Sequence, residues 1–460
     1  MSNSSTNLEW RSLTLLCLPT LSILLSTNIV VAALSDINHA FKGIEGLGSW
    51  TLLLYSTTAA SLSIAAGELG DRVGLRRVYG QGLMIYLIGS CIAALAINGP
   101  MLLAGRVVSG TGAAILAPVA LAFLSRMYQG RDKPIAFGYW AASVTIGTVA
   151  GPILGGLIAA MSSWRWTFIV AAAPALLGLI MIRKLPRFEK KEDTQNQPID
   201  LIGIGGLSII PAIGLITLNL STRIHTNVLA ILTITIFAIG TLTWRHLNRT
   251  KHPAIPLARL KESSWWRPTI LQLIIRIVFM AVLVILTSYF HNIRGESEIN
   301  ASRDLLPFCI AVGIMSFSSG YICQSLGVRK LLQSVFVLAT AGAAILLSIT
   351  TSGFRPIDWA AIITIGILAG STSQLSRLAL SNFAPEEAMR GASLNTLVIN
   401  LGLALGAAYP NMIHGIVSNE LHLGGLMSQI EMLFTMRLEI MILLFLFIAG
   451  TWQARKIKEA

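Results

Sequence analysis

Fourteen apolar runs of roughly 20 residues each, separated by short polar stretches, dominate the chain and set the solvent in which it folds. They fall near 13–34, 49–69, 78–97, 101–124, 135–160, 165–182, 201–220, 226–244, 268–290, 305–324, 331–350, 358–381, 391–416 and 433–453. At about 1.5 Å rise per residue, such a run crosses a hydrocarbon layer about 30 Å thick. Lipid offers no hydrogen-bond partner to a free backbone group, so each run must be a helix or a strand of a closed barrel. The absence of period-two alternation selects the helix. The sequence therefore specifies an all-α polytopic membrane protein. Only 12% of the 460 residues are charged, against about 25% in soluble chains, which excludes a cytosolic enzyme, a secreted disulfide scaffold and a disordered protein.

The net charge of +13 could mark nucleic acid, anionic lipid or the positive-inside bias of membrane proteins, and its distribution decides between them. With the N-terminus placed in the cytoplasm, the loops on that side hold 24 of the 34 Lys and Arg and the opposite loops hold 6. The other 4, Arg106, Arg276, Arg377 and Arg437, lie inside runs. This asymmetry puts both termini on the cytoplasmic side of a cell (inner) membrane and leaves no role for nucleic acid. The first run has no small-residue cleavage site before a polar stretch, so it reads as a retained helix and not a signal peptide. Cys17, Cys91, Cys309 and Cys323 sit within runs at no metal-ligand spacing, so neither a metal site nor a disulfide framework is expected.

The longest polar connections, 183–199 and 247–267, bracket runs seven and eight and leave six runs on each side. Gly67, Asp71, Gly74, Arg76 and Arg77 after run two recur 253 residues later as Gly320, Gln324, Gly327, Arg329 and Lys330 after run ten. Gly147 and Gly151 in run five recur 255 residues later as Gly402 and Gly406 in run thirteen. Two like-oriented halves of this kind carry substrate at their interface by alternating access. Three segments follow: a six-helix half over 1–185, cytoplasmic linkers with inserted helices seven and eight over 186–261, and a second six-helix half over 262–460.

These residues resemble the major facilitator superfamily, and within it the fourteen-helix drug:proton antiporters, over essentially the whole chain. The loop signature G-x-L-x-D-R-x-G-x-R-R after helix 2 is present at Gly67, Leu69, Asp71, Arg72, Gly74, Arg76 and Arg77. The resemblance implies that Asp71 docks on the start of helix 13, near Gly391, as a conformational latch broken during transport. Gln324 in the second copy implies a weaker latch there. The stretch around Arg106 is similar to the buried-arginine motif of helix 4 and implies proton coupling, beside the simpler role of pinning helix 4 to helix 1. Gly147, Gly151, Pro152, Gly155 and Gly156 resemble the antiporter motif of helix 5, which implies export. Ser163, Trp164, Arg165 and Trp166 resemble the entry to helix 6.

The chain also departs from that pattern. In the fourteen-helix exporters helix 1 carries an acid inside the membrane; here Ser26 stands in its place and Ser35 in that of a proline. Of the 21 acids only Glu439, in run fourteen, lies deep, which makes it the proton carrier by elimination; Glu431 and Thr435 share its stripe and Arg437 is near. Arg276 lies near the middle of run nine, one turn from Gln272. An intramembrane charge marks a site by default, the alternative being a structural pairing with Glu439 or a carbonyl. Arg377, near the cytoplasmic end of its run, is explained by snorkelling. Ser393, Thr396, Asn400 and Asn411 share a face of run thirteen. His291, His414 and His422 lie near outer ends, as proton sensors or interfacial tips.

Embedded arginines with few embedded carboxylates favour neutral or anionic compounds, because a desolvated cation needs a carboxylate. The chain thus reads as a secondary active transporter, a proton-coupled exporter of a small amphipathic neutral or anionic compound. Ser26, Asn28, Gln272, Arg276, Tyr289, Thr396 and Asn400 are the expected substrate contacts, and Arg106 and Glu439 the proton-coupling residues. No catalytic residue, metal or cofactor is expected; the proton gradient supplies the energy, the lipid bilayer is the solvent and a monomer is the working unit. A broad multidrug efflux pump for lipophilic or cationic drugs is one alternative, and a non-transporting receptor or assembly partner another.

Overall fold

The computed structural model describes residues 9–41, 46–161, 163–188, 199–220, 226–250, 252–255, 257–296, 300, 303–350, 353–384, 387–420 and 429–457. Among them there is no β-sheet, only an isolated bridge between Thr350 and Gly353. The helices are α1 (Trp10–Asn28), α2 (Leu47–Ser61, continued after Leu62 by Ser63–Val73), α3 (Leu75–Ala94), α4 (Gly99–Met127), α5 (Asp132–Met161), α6 (Arg165–Ile180), α7 (Leu201–Leu220) and α8 (Thr226–Arg249). They continue as α9 (Ser263–Ser288), α10 (Leu306–Leu326), α11 (Val328–Leu346), α12 (Pro356–Gly370, continued after Ser371 by Thr372–Leu380), α13 (Ala388–Glu420) and α14 (Gln429–Ala454). A one-turn π-helix, Tyr289–Ile293, extends α9. Eleven of the described helices are long and apolar enough to cross a membrane, and Arg165–Ile180 and Leu201–Thr217 are shorter apolar ones. The protein is an all-α, multi-pass membrane protein.

The chain divides into two compact units, one of residues 1–262 with 380–397 and the other of 263–379 with 398–460. In the first, α3 packs on α4, α1 on α5 and α6, α2 on α4, and α3 on α6. In the second, α11 packs on α12 and α14, α10 on α12, and α9 on α14. Small residues make the closest approaches: a Cβ at Gly89 would strike the backbone of Ser109, and one at Gly105 the backbone of Ala93. Buried apolar side chains such as Leu83, Tyr86, Leu116 and Phe123 fill the first unit, and Leu271, Phe308, Leu332 and Phe447 the second.

The recurring loop has a recurring geometry. Gly74 (φ 98°) and Gly327 (φ 77°) each separate two helices alone, in a region that Cβ-bearing residues avoid. The N–H of Gly74 donates to Gly70 O at 3.1 Å, and that of Gly327 to Cys323 O at 3.0 Å. The helix-5 echo also has a counterpart in packing. Gly147 and Gly151 lie against Leu21, Leu24 and Asn28 of α1, while Gly402 and Gly406 lie against Leu273, Arg276, Ile277 and Met280 of α9.

The α7–α8 pair belongs to the first unit, where α7 packs on α2. The outer face of α8 leaves Ile231, Ile234, Phe237 and Leu242 exposed, a surface suited to lipid. Asp200 ties the ends of the pair together. Its Oδ1 accepts from the N–H of Gly203 at 2.8 Å, capping α7, and lies 2.6 Å from His246 Nε2 of α8. Its Oδ2 accepts from the N–H of Ala254 at 3.1 Å. Burial works to raise the carboxyl's pKa, but the bonds from Gly203, Ala254 and His246 outweigh it and hold the group below its ordinary value. The resulting stability is present above the unfolded Asp pKa of about 3.9 and is lost as pH falls through the folded value. Asp200→Asn should therefore lower the unfolding temperature of the detergent-solubilised protein at neutral pH, by the equivalent of roughly 1–3 kcal/mol. The gap to wild type should close as pH is lowered through the acid range; a gap independent of pH would refute this reading of the clamp.

Candidate transport site and latch

In the first unit the polar centre is Arg106 of α4, fully buried. Its Nε donates to Thr51 O at 3.0 Å and its Nη1 to Ser26 Oγ at 2.9 Å. The guanidinium lies 4.1 Å from the ring centroid of Tyr55 and 5.5 Å from that of Phe168, and Nη2 has no partner among the described residues. A desolvated cation is thus held by neutral dipoles and an aromatic face, with no carboxylate paired to it among the described residues. Tyr55 and Tyr86 are fixed in turn by α1, donating to Ile23 O at 3.2 Å and Ser22 O at 2.9 Å. Ser26 and Arg106 come together; Asn28 does not join them, since its amide donates to Leu24 O at 2.7 Å on its own helix.

The end of α2 is bound to the start of α13, both within the first unit. Gly67 and Gly70 lie against Ser393 and Met389. Glu68, buried, accepts from Arg72 Nη2 at 2.7 Å through Oε1 and from Arg390 Nε at 2.9 Å through Oε2. Glu68 is thus a described carboxylate in the contact between the end of α2 and the start of α13. The side chain of Asp71 lies outside the described residues, as do those of Pro152 and Asn411 and all of His422. Gly391 itself packs on Phe383. Of the remaining helix-5 motif, Gly155 is buried and Gly156 faces open space. Arg76 and Arg77 line a surface groove described below.

In the second unit Gln272 Nε2 donates to Ser376 Oγ at 2.8 Å, while Gln272 Oε1 has no partner among the described residues. One turn on, Arg276 is 9% exposed and its Nε is also without a partner among the described residues. Neither Arg276 nor Glu439 enters an ion pair among the described residues, so the Arg276–Glu439 pairing considered for these two is not made. Glu439 is buried at a cavity of about 30 Å³ that also contacts Ser288, Tyr289, His414 and Thr435. That space suits one or two waters. Tyr409 Oη donates to the Glu439 carbonyl at 2.6 Å, and Tyr289 Oη to Thr350 O at 2.8 Å, so Tyr289 is engaged as an anchor. Arg437 Nη2 donates to Ile349 O at 2.7 Å. Arg377 joins a buried seam, its Nε donating to Gln374 Oε1 at 3.2 Å. Thr396 bonds back to Ala392 O at 2.8 Å, and Asn400 is half-buried on α13.

Sequence reading missed Glu68 with Arg390, the tyrosines around Arg106, Ser376 as partner of Gln272, and His414 beside Glu439. Only the Glu68–Arg72 pair carried a local signal, its i, i+4 spacing. Among the described residues no group of three or more His, Cys, Asp or Glu is placed to hold a metal ion.

Residues 16–407 match the Major Facilitator Superfamily. The chain belongs to that family. It is a secondary-active membrane transporter of small molecules and not an enzyme. The drug efflux pump JefA of Mycobacterium tuberculosis is 26% identical over 395 residues, 84% of this chain and 77% of that protein. The multidrug resistance protein Stp of the same organism is 30% identical over 316 residues, 67% of this chain and 57% of that one. The crystal structure of the human organic anion transporter MFSD10 matches with a TM-score of 0.69 at 12% identity, covering 98% of this chain and 100% of that one, a likeness of fold alone.

A double-mutant cycle checks the α2–α13 contact. Glu68→Gln and Arg390→Gln should each lower the unfolding temperature, and together by less than their sum, with a coupling of about 1–3 kcal/mol. Strict additivity would show that the two side chains do not hold one another.

Proposed function

We propose that this transporter is a multidrug efflux pump, an antiporter that expels chemically varied amphipathic compounds in exchange for protons by alternating access. The similarity to a drug efflux pump over 84% of this chain carries the reading. Gly147 and Gly151 of the helix-5 motif, seated on α1, support export over import. The working architecture in this reading is fourteen membrane-spanning helices in two six-helix halves, 1–185 and 262–460, around an inserted pair in 186–261. It functions as a monomer in the cell membrane with both termini in the cytoplasm. The repeated glycine turns and the matching helix pairings within each unit support the two halves.

Glu439 carries the proton, being a buried carboxyl that faces a water-sized cavity with no ion-pair partner among the described residues. Arg106, held by Ser26 and Thr51, couples α4 to α1 and α2. Gln272 and Arg276, with orphan polar atoms on one face of α9, contact the substrate, as do Ser26, Asn28, Tyr289, Thr396 and Asn400 in the rearranged states of the cycle. The loop from Gly67 to Arg77, with Asp71, Arg72, Gly74 and Arg76, is the latch. A second reading, selection of neutral and anionic amphiphiles within this range, is favoured by Arg276, whose Nε has no partner among the described residues.

The test is discharge of a pH gradient across proteoliposomes after addition of matched anionic, neutral and cationic amphiphiles. Several unrelated compounds should discharge it, and Glu439→Gln should abolish the coupling. Arg276→Ala should weaken the apparent affinity for anions about tenfold and leave neutral compounds little changed, since a charge-assisted bond contributes about 1.5–3 kcal/mol. Discharge by a single compound would defeat the multidrug reading, and full coupling in Glu439→Gln would remove the proton from that residue. Equal loss for all compounds in Arg276→Ala would make that arginine structural.

A further inference from the structure

The first unit carries a groove of about 610 Å³ between the start of α3 and the end of α6. Arg76, Arg77 and Arg187 line it together with Met84, Leu179 and Ile182. None of the three arginines makes an ion pair among the described residues, although each carries a full charge beside an apolar wall. Arg183 and Lys184, exposed, extend the basic surface just beyond Ile182. The first residues of α3 add to the positive potential, because the N–H groups of a helix's first turn have no intrahelical acceptor.

The groove is polar at one end and apolar along its length. From Leu75 to Met84 the helix rises about 13 Å, close to the thickness of one hydrocarbon leaflet. Its apolar side passes into exposed Met84, Ile88, Leu176 and Ile180, a lipid-facing flank. The volume lies within the range of about 300–1,000 Å³ that holds a small amphipathic ligand. Inorganic phosphate matches the arginines and leaves the apolar wall uncovered; a neutral lipid covers the wall and leaves three cations without a counter-charge. A molecule with an anionic phosphodiester and hydrocarbon chains matches both. Charge asymmetry across the chain puts this end of α3 in the cytoplasmic headgroup layer, where anionic lipids attract basic residues.

We propose that the groove binds one anionic phospholipid of the inner leaflet. Arg76, Arg77 and Arg187 hold the phosphodiester, and one acyl chain lies along Met84, Leu179 and Ile182. Its lining shares no residue with the proposed substrate contacts and includes Gly74, on the loop that follows α2, so lipid composition acts on that loop.

Native mass spectrometry of the full chain, released from micelles offering dioleoyl phosphatidylglycerol or dioleoyl phosphatidylcholine, tests the proposal. Phosphatidylglycerol should be retained, about one copy per chain, at concentrations where phosphatidylcholine is not. Arg187→Gln should weaken that retention about fivefold, as expected for one basic residue at an anionic lipid surface. Leu179→Trp, which keeps every charge and fills the groove, should weaken it at least as much, and millimolar inorganic phosphate should not displace the lipid. Equal retention of the two lipids overturns the proposal, as does an unchanged preference for phosphatidylglycerol in either variant. Displacement by inorganic phosphate alone also overturns it, since that behaviour belongs to a free-anion site.

Discussion

Hydrocarbon supplies no hydrogen bonds, and the whole molecule is arranged around that fact. The backbone answers with helices. The buried hydroxyls answer by bonding back along their own helices, as Thr20 does to Leu16, Thr51 to Leu47 and Ser90 to Tyr86. Longer polar groups cannot be satisfied so locally, and they draw neighbouring helices together: Tyr86 reaches α1, Trp140 reaches Thr20, and Gln272 reaches Ser376. The few atoms left over are therefore informative. Nη2 of Arg106, Oε1 of Gln272 and Nε of Arg276, which have no partner among the described residues, are places where the described fold stops short of closing its own hydrogen-bond network.

Much of the fold was legible in the chain because lipid imposes so few choices. Apolar runs of membrane length became helices, since nothing else can stand in hydrocarbon. The two glycine-led loops announced tight turns, and Gly74 and Gly327 adopt the positive φ those turns need. Gly147 and Gly151 were recognisable as a close-packing face, though not which helix they face. Side-chain partners were far less legible. Nothing local says that Glu68 meets Arg390, 322 residues away, or that Tyr55 lies over Arg106. Nor does anything local say that the amide of Asn28 donates to a carbonyl one turn back on its own helix. The sequence leaves Arg276 either in a site or paired with Glu439 or a carbonyl, and among the described residues it makes no ion pair with Glu439.

The inserted pair follows a different logic from the helices around it. The outer face of α8 is apolar and exposed, so protein packing specifies little on that face. Specification comes from one carboxylate at the end where α7 begins and α8 finishes. Asp200 gathers a helix N-terminus, a histidine of the second helix and a loop amide, fixing the two helices at one point. A pair held this way keeps its base in register.

Glu68 accepts from two arginines that differ in kind. Arg72 belongs to the same helix, four residues on, and travels with it; Arg390 belongs to α13. Separating α2 from α13 takes away one donor and leaves the other in place, so the carboxylate is never stripped of a counter-ion. An isolated buried pair resists opening because each charge is abandoned when it parts. Here Arg72 would remain beside the acid if the contact opened. The contact combines the specificity of a buried ion pair with the reversibility of a surface one.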